Sequence, residues 1–221
     1  MKTAILVDGG FFLRRYRRIY GDTDPGVAAS KMHELCMNHL YDRKTRRRES
    51  DLYRILFYDC PPMNKKAHLP ISRKAIDYGK TDTFEFRTAF HSELKKLRKV
   101  ALRMGNLRDG DGWILTPAAT KMLIQGKIRS EDLKDEHFTY DVLQKTVDMK
   151  IGLDIASLCY KRLVDQIVLF AGDSDFVPAA KLARREGVDV VLDSMWQPMS
   201  EDLREHIDGL RSTCPQPKPR R

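Results

Sequence analysis

Four aspartates carry the chemistry available to this chain. Asp8 follows the apolar run Ala4-Ile5-Leu6-Val7, and Asp173 follows Ile167-Val168-Leu169-Phe170-Ala171-Gly172. In an open α/β sheet, strands end in a cleft where strand order reverses, so both carboxylates can face one site. Asp148 stands near the start of a third element. At about 100° per residue it falls on the same helical arc as Ile151, Ile155, Leu158 and Cys159. A carboxylate turned toward a sheet is costly unless it is compensated, and a divalent cation is the strongest compensation available. Asp175 lies two residues beyond Asp173. Carboxylates gathered without histidine or thiolate form a hard oxygen-donor set suited to Mg²⁺ or Mn²⁺ rather than zinc. Such a set handles phosphates: the cation polarises a phosphoryl oxygen, lowers the pKa of a bound water and offsets charge as the P–O bond breaks. No Ser-His-Asp triad is needed, and none is apparent.

Each aspartate also has a local role open to it. Asp8 can bond the backbone amides of its turn, as can Asp173. Asp148 can cap its helix, although Thr146 can serve instead, and Asp175 sits where the N-cap of the next helix belongs. Asp154 lies roughly 120° from Asp148, at the edge of the apolar arc, and with Ser174 is a candidate for a supporting contact around the ligands. Their joint placement on one edge is the argument for a site.

Cations are the second resource. Forty Lys and Arg against thirty-one Asp and Glu leave a net charge of +9, which favours an anionic partner such as nucleic acid. Arg14, Arg15, Arg17 and Arg18, interleaved with Tyr16 and Tyr20, follow Asp8 directly and can hold a phosphate backbone beside the cleft or form a solvated helix face. Asp8-Gly9-Gly10 lacks the spacing of a phosphate-binding loop. The four cysteines form no C-x-x-C pair and the six histidines no ligand spacing, so reduced thiols and no zinc are expected. The apolar run at the start stops at Asp8, short of a signal-peptide core, and no run is long enough to span a bilayer. The expected location is the cytoplasm, with no membrane association.

The elements that must position these groups alternate. Strands are predicted at Thr3–Val7, Tyr53–Tyr58, Trp113–Thr116, Gln166–Ala171 and Val188–Leu192. Helices are predicted from about Phe11, over Ala28–Tyr41, Phe86–Arg103, Pro117–Leu123, from Thr146 or Asp148 to about Leu163, and over Phe176–Arg185. The basic run Arg43–Arg48 is expected to close the second helix at its C-terminal end. A polar loop is expected from Asp59 to about Thr83. Strands separated by helices of ten or more residues imply parallel crossovers, hence an α/β fold: a three-layer α/β/α sandwich with a mostly parallel central sheet.

Three segments resemble a known family. Val7-Asp8-Gly9-Gly10-Phe11-Phe12, Lys145–Asp154 and Ala171-Gly172-Asp173-Ser174-Asp175-Phe176 look like the signature segments of the NYN domain, the LabA-like branch of the PIN-like nucleases. The family's polar residue shortly after the first Asp is replaced here by Gly10 or Phe11. The resemblance implies a PIN-like sandwich over residues 1–210; the pattern along the chain separately reads as an insertion at about 105–144, and the Pro- and Arg-rich end at 211–221 as a disordered basic tail. It implies metal-dependent cleavage of RNA, with Asp8, Asp148 and Asp173 as ligands to Mg²⁺ or Mn²⁺ and Asp175 completing the set or orienting water. RNA, single-stranded or structured, is the implied partner, and a homodimer is open. Two rivals stand beside this. A non-catalytic RNA-binding or regulatory module would use the basic faces alone. A haloacid dehalogenase-type phosphatase would match Gly172-Asp173-Ser174-Asp175, but its D-x-D motif needs an acid where Gly10 stands.

Overall fold

The computed structural model describes residues 1–217. Its centre is a six-stranded sheet in which every neighbouring pair is parallel. In chain order the strands and helices are β1 (Lys2–Asp8), α1 (Gly9–Tyr20), α2 (Pro25–Asn38), β2 (Asp51–Asp59), β3 (Lys66–His68), β4 (Ala75–Asp77), α3 (Asp82–Lys96), β5 (Val100–Met104) and β6 (Asn106–Leu115). They continue with α4 (Pro117–Ile124), β7 (Phe138–Lys145), α5 (Val147–Tyr160), β8 (Gln166–Phe170), α6 (Val177–Arg185), β9 (Asp189–Asp193), α7 (Glu201–Glu205) and β10 (Gly209–Leu210).

The strand order is β10-β9-β8-β1-β2-β5. From β1 the chain builds outward through β2 to β5; from β8 it builds the other way through β9 to β10. The order therefore reverses between β1 and β8. Central strands read as continuous apolar runs because both faces are covered. Ala4, Leu6, Leu56, Ile167 and Leu169 pack under Ile151, Ile155 and Leu158 of α5 and Ala180 of α6. Ile5, Val7, Phe57, Val168 and Phe170 pack on the other face, against Phe12 and Tyr16 of α1, Met32 of α2 and Phe90 of α3. The expected three layers are thus present.

Several local expectations are corrected. The helix predicted over Phe86–Arg103 ends at Lys96, and Val100–Met104 is the edge strand β5, paired to β2 with Ile55 opposite Val100. Leu97 and Ala101 fit a helical step, but Lys99 takes a left-handed φ of 61°, and Val100 and Leu102 pack on one face of the sheet while Ala101 packs on the other. That alternation, rewarded by backbone pairing to β2, outweighs the helical spacing. The basic run Arg43–Arg48 does not close a helix: α2 stops at Asn38, and the run lies in a turn bounded by a Tyr41–Arg48 bridge. The expected polar loop contains the β3–β4 hairpin. The short strand predicted at Trp113 extends back to Asn106 and pairs antiparallel with β7, apart from the main sheet. The strand predicted as the last, β9, is followed by β10.

Past β10, Arg211 donates from its backbone to Leu192, Thr213 to Asp193, and Cys214 is buried. Of the expected tail, 218–221 lie outside the described residues.

Candidate functional site

Residue parity puts Asp8 on the α5 side of the sheet, one step past Ala4 and Leu6 at the carboxyl end of β1. It caps α1: its Oδ1 accepts from the Phe11 amide at 3.1 Å. Gly9 lets that helix start so abruptly, because a Cβ there would stand 2.6 Å from both the Phe57 ring and the Tyr58 carbonyl oxygen. Burial, and then the negative charge of Asp148, raise the Asp8 carboxyl above its usual range; the Phe11 amide and the Arg14 cation oppose this.

Asp148 lies in the first turn of α5, after Thr146 at a left-handed φ of 74°. It is exposed rather than turned into the sheet; the buried positions of α5 are Val147, Ile151, Ile155, Leu158 and Cys159. Its carboxyl is also raised, by partial desolvation and then by the charges of Asp175 and Asp173.

Asp173 caps a single 3₁₀ turn at 174–176, accepting from the Asp175 amide at 3.2 Å. Asp173, Ser174 and Asp175 are all exposed. Val7 lies opposite Phe170, so the loops after β1 and β8 leave the sheet from adjacent strands, about 4.8 Å apart. Asp8, Asp148, Asp173 and Asp175 thus come from three stretches of chain; Asp148 is near enough to act on Asp8, and Asp173 and Asp175 are near enough to act on Asp148. Among the described residues, no three Asp, Glu, His or Cys side chains stand close enough to form a ready-made metal cage.

Asp154 is committed elsewhere. It accepts from the Tyr58 hydroxyl at 2.8 Å and pairs with Arg103 Nε at 3.1 Å. Asp8, Tyr58 and Arg103 are neighbours in one row across β1, β2 and β5, so this cluster forms the wall beside Asp8.

The four α1 arginines divide. Arg15 is buried and donates from Nε to the Met195 carbonyl at 3.1 Å, so it is part of the packing and unavailable to a ligand. Arg17 lies over the Phe86 ring and within 3.6 Å of Asp22. Arg14 and Arg18 are exposed, four residues apart on one face, and Arg14 is near enough to lower the Asp8 pKa.

Two buried charge clusters at the same sheet edge escaped the sequence reading. Asp59, at the end of β2, is fully buried and bonded by Arg87 and by His91 Nε2 at 2.8 Å. Burial alone would raise its carboxyl, but His91 and Arg87 outweigh burial and hold it below the usual range. Asp193, at the end of β9, accepts from His39 Nε2 at 2.9 Å and from the Met195 and Thr213 amides. The i, i+4 spacing of Arg87 and His91 was the only local sign, and their acid partner lies 28 and 32 residues away from them.

Residues 116–212 match the NYN domain. The NYN domain is a PIN-like nuclease family, and the match takes in the second and third signature segments while Asp8 lies before it. An uncharacterised protein of Methanocaldococcus jannaschii is 24% identical over 106 residues, 48% of this chain. The chain spans 41% of that relative's length. Among solved structures, a protein of unknown function from Vibrio parahaemolyticus aligns over 96% of this chain and 91% of its own, at 16% identity and a TM-score of 0.48. Acinetobacter baumannii MurG aligns over 100% of this chain and 44% of its own, at 10% identity and a TM-score of 0.36. No helix among the described residues is long and apolar enough to cross a membrane.

Proposed function

We propose that the chain is a metal-dependent ribonuclease acting at the cleft between the ends of β1 and β8. The observation that supports this reading is that β1 and β8, adjacent strands where the sheet order reverses, end at Asp8 and just before Asp173, with Asp148 electrostatically coupled to both ends, in a chain whose residues 116–212 match the NYN domain. The charge of Asp148 raises the Asp8 carboxyl, and the charges of Asp175 and Asp173 raise that of Asp148, a repulsion that a cation relieves. The donor set is all oxygen and largely solvent-facing, which suits Mg²⁺ or Mn²⁺. Mg²⁺ keeps several waters and needs only one or two carboxylates, so a closed protein cage is not required.

Asp8, Asp148 and Asp173 would hold the ion. When bound, it supplies Lewis-acid polarisation of the phosphoryl oxygen and a water of lowered pKa. Asp8 is fixed by its bond to the Phe11 amide, which aims its carboxylate without a rotamer search. Asp175 completes the donor set or accepts the proton of the attacking water, with Ser174 beside it. Arg14 is placed to hold a phosphate of the bound strand. Asp154 keeps the Tyr58–Arg103 wall in place. The free, buried thiols of Cys36, Cys60, Cys159 and Cys214 fit a reducing cytoplasm.

A second reading, a non-catalytic RNA-binding module, is favoured by the lack of a ready-made cage among the described residues. Labelled RNA incubated with Mn²⁺ separates the two. Asp173→Asn keeps the side-chain shape and should abolish cleavage with an unchanged melting curve. RNA binding without cleavage, indifferent to Asp8→Asn, establishes the module instead.

A further inference from the structure

A second cleft, of about 600 Å³, lies at the far end of α1 from the aspartates and is lined by Tyr20, Lys31, Arg43, Arg46, Trp196 and Arg211 among others. Four of these six side chains are cationic; Glu34, bonded to Lys31 at 2.6 Å, is an acid in the lining. Arg43 and Arg46 are exposed and make no ion pair among the described residues, although each sits in the turn that follows α2. Such charge, left unneutralised in a concave surface, is matched to a polyanion.

Trp196 adds a flat surface. Its indole Nε1 donates to the Cys214 carbonyl at 2.8 Å and its amide to Ser212 at 3.1 Å, yet the side chain remains 40% exposed. Met195 and Trp196 both adopt left-handed φ, 46° and 63°. Consecutive non-glycine residues in that region are strained, and the second of them is the partly exposed aromatic residue in the cleft lining. The next residue, Gln197, approaches Gly172, the residue before Asp173. α1 links the two regions: Asp8 caps its start, and Tyr20, at its end, lines the cleft about 18 Å away.

We propose that this cleft holds a single-stranded stretch of RNA flanking the cleaved bond, with Arg43 and Arg46 on its phosphates and a base stacked on Trp196. This rests on the RNA reading of the aspartate site. It assigns a role to the basic run after α2, and it predicts two separable contributions. Phosphate contacts are salt-dependent, whereas stacking on an aromatic ring is tolerant of both sequence and salt.

The test is fluorescence anisotropy of a labelled oligouridylate with the full chain in EDTA, titrated at several KCl concentrations. For Arg43→Gln/Arg46→Gln, the slope of log K against log salt should become shallower by about 1.4, two single-strand phosphates at roughly 0.7 each. For Trp196→Ala, affinity should fall about tenfold with the slope unchanged, and Trp196→Phe should recover part of it. Melting curves verify that the variants are folded. An unchanged slope in the double variant, or binding indifferent to Trp196, overturns the cleft. So does a response seen only with phosphatidylserine vesicles and not with RNA. Cleavage is scored separately with Mn²⁺: cleft-dependent binding without cleavage sinks the nuclease and keeps the cleft, and cleavage with cleft-independent binding does the reverse.

Discussion

Gly172 and the Phe11 ring are pressed so closely together that a Cβ on the glycine would stand 2.7 Å from Phe11 Cε2. Phe11 also donates the amide that fixes Asp8, and Gly172 immediately precedes Asp173. One contact therefore joins the two loops that carry Asp8 and Asp173.

Gly172→Ala should separate those loops. The chain must shift to admit the methyl, which costs roughly 1–3 kcal/mol and should lower the melting temperature and the Mn²⁺-dependent activity together. Gly152→Ala is the control. It lies in α5 with nothing within 4 Å of the added Cβ, so stability should hold or rise by about 0.5–1 kcal/mol. Thermal melts of the two variants check both signs.

Asp148→Asn should stabilise the chain near neutral pH when no divalent ion is present. The Asp148 carboxyl is raised in the fold, by desolvation first and then by Asp175 and Asp173. Its contribution to stability is therefore complete below the unfolded carboxylate pKa and is lost as pH rises through the higher folded value. The gain from the amide should be present at pH 7 and vanish toward pH 4. Because the side chain is exposed and screened by water, it should stay under about 1 kcal/mol. Melts across that range measure it.

Mn²⁺ should reverse the ranking. An ion bound only by the folded chain raises stability by mass action, so wild type should melt higher as Mn²⁺ is added, while Asp8→Asn and Asp148→Asn should respond weakly or not at all. A wild-type melting temperature indifferent to Mn²⁺ at millimolar concentration would count against the metal site. This readout does not depend on knowing the RNA.

Arg87→Met should be among the most damaging single changes. It leaves the fully buried Asp59 carboxylate with His91 and the Cys60 amide but no permanent cation, and breaking a buried pair by removing one partner costs about 3–5 kcal/mol. The intact cluster holds the Asp59 carboxyl low, so its stabilisation is present above the unfolded pKa and is lost as pH falls below about 4. Wild type should lose stability on acidification through this group, and Asp59→Asn should flatten that limb. Denaturant melts at pH 3 and pH 7 test both statements.

Arg14 and Arg15 are adjacent in sequence and should behave oppositely. Arg15→Ala removes a buried guanidinium from the Met195 carbonyl and should lower the melting temperature. Arg14→Ala should leave the melt unchanged and weaken RNA binding, more so at low salt.

The alternation of apolar strands with helices was enough, from sequence, to specify a parallel three-layer sheet, because strands buried on both faces must be apolar along their whole length. Asp8 and Asp173 were legible for the same reason: each ends such a run. What the sequence left undecided needed partners far away in the chain. Val100–Met104 fits a helix by spacing and becomes a strand only because β2 offers it backbone hydrogen bonds. Arg15 looks like its exposed neighbours until Met195, 180 residues away, supplies the carbonyl it serves. The charge clusters on Asp59 and Asp193, and the cleft that brings Arg43 and Arg46 to Trp196, likewise exist only after folding. Local pattern reports which residues want to be buried, whereas the pairing of one polar group with another is a contact between distant segments, and only the packed chain creates it.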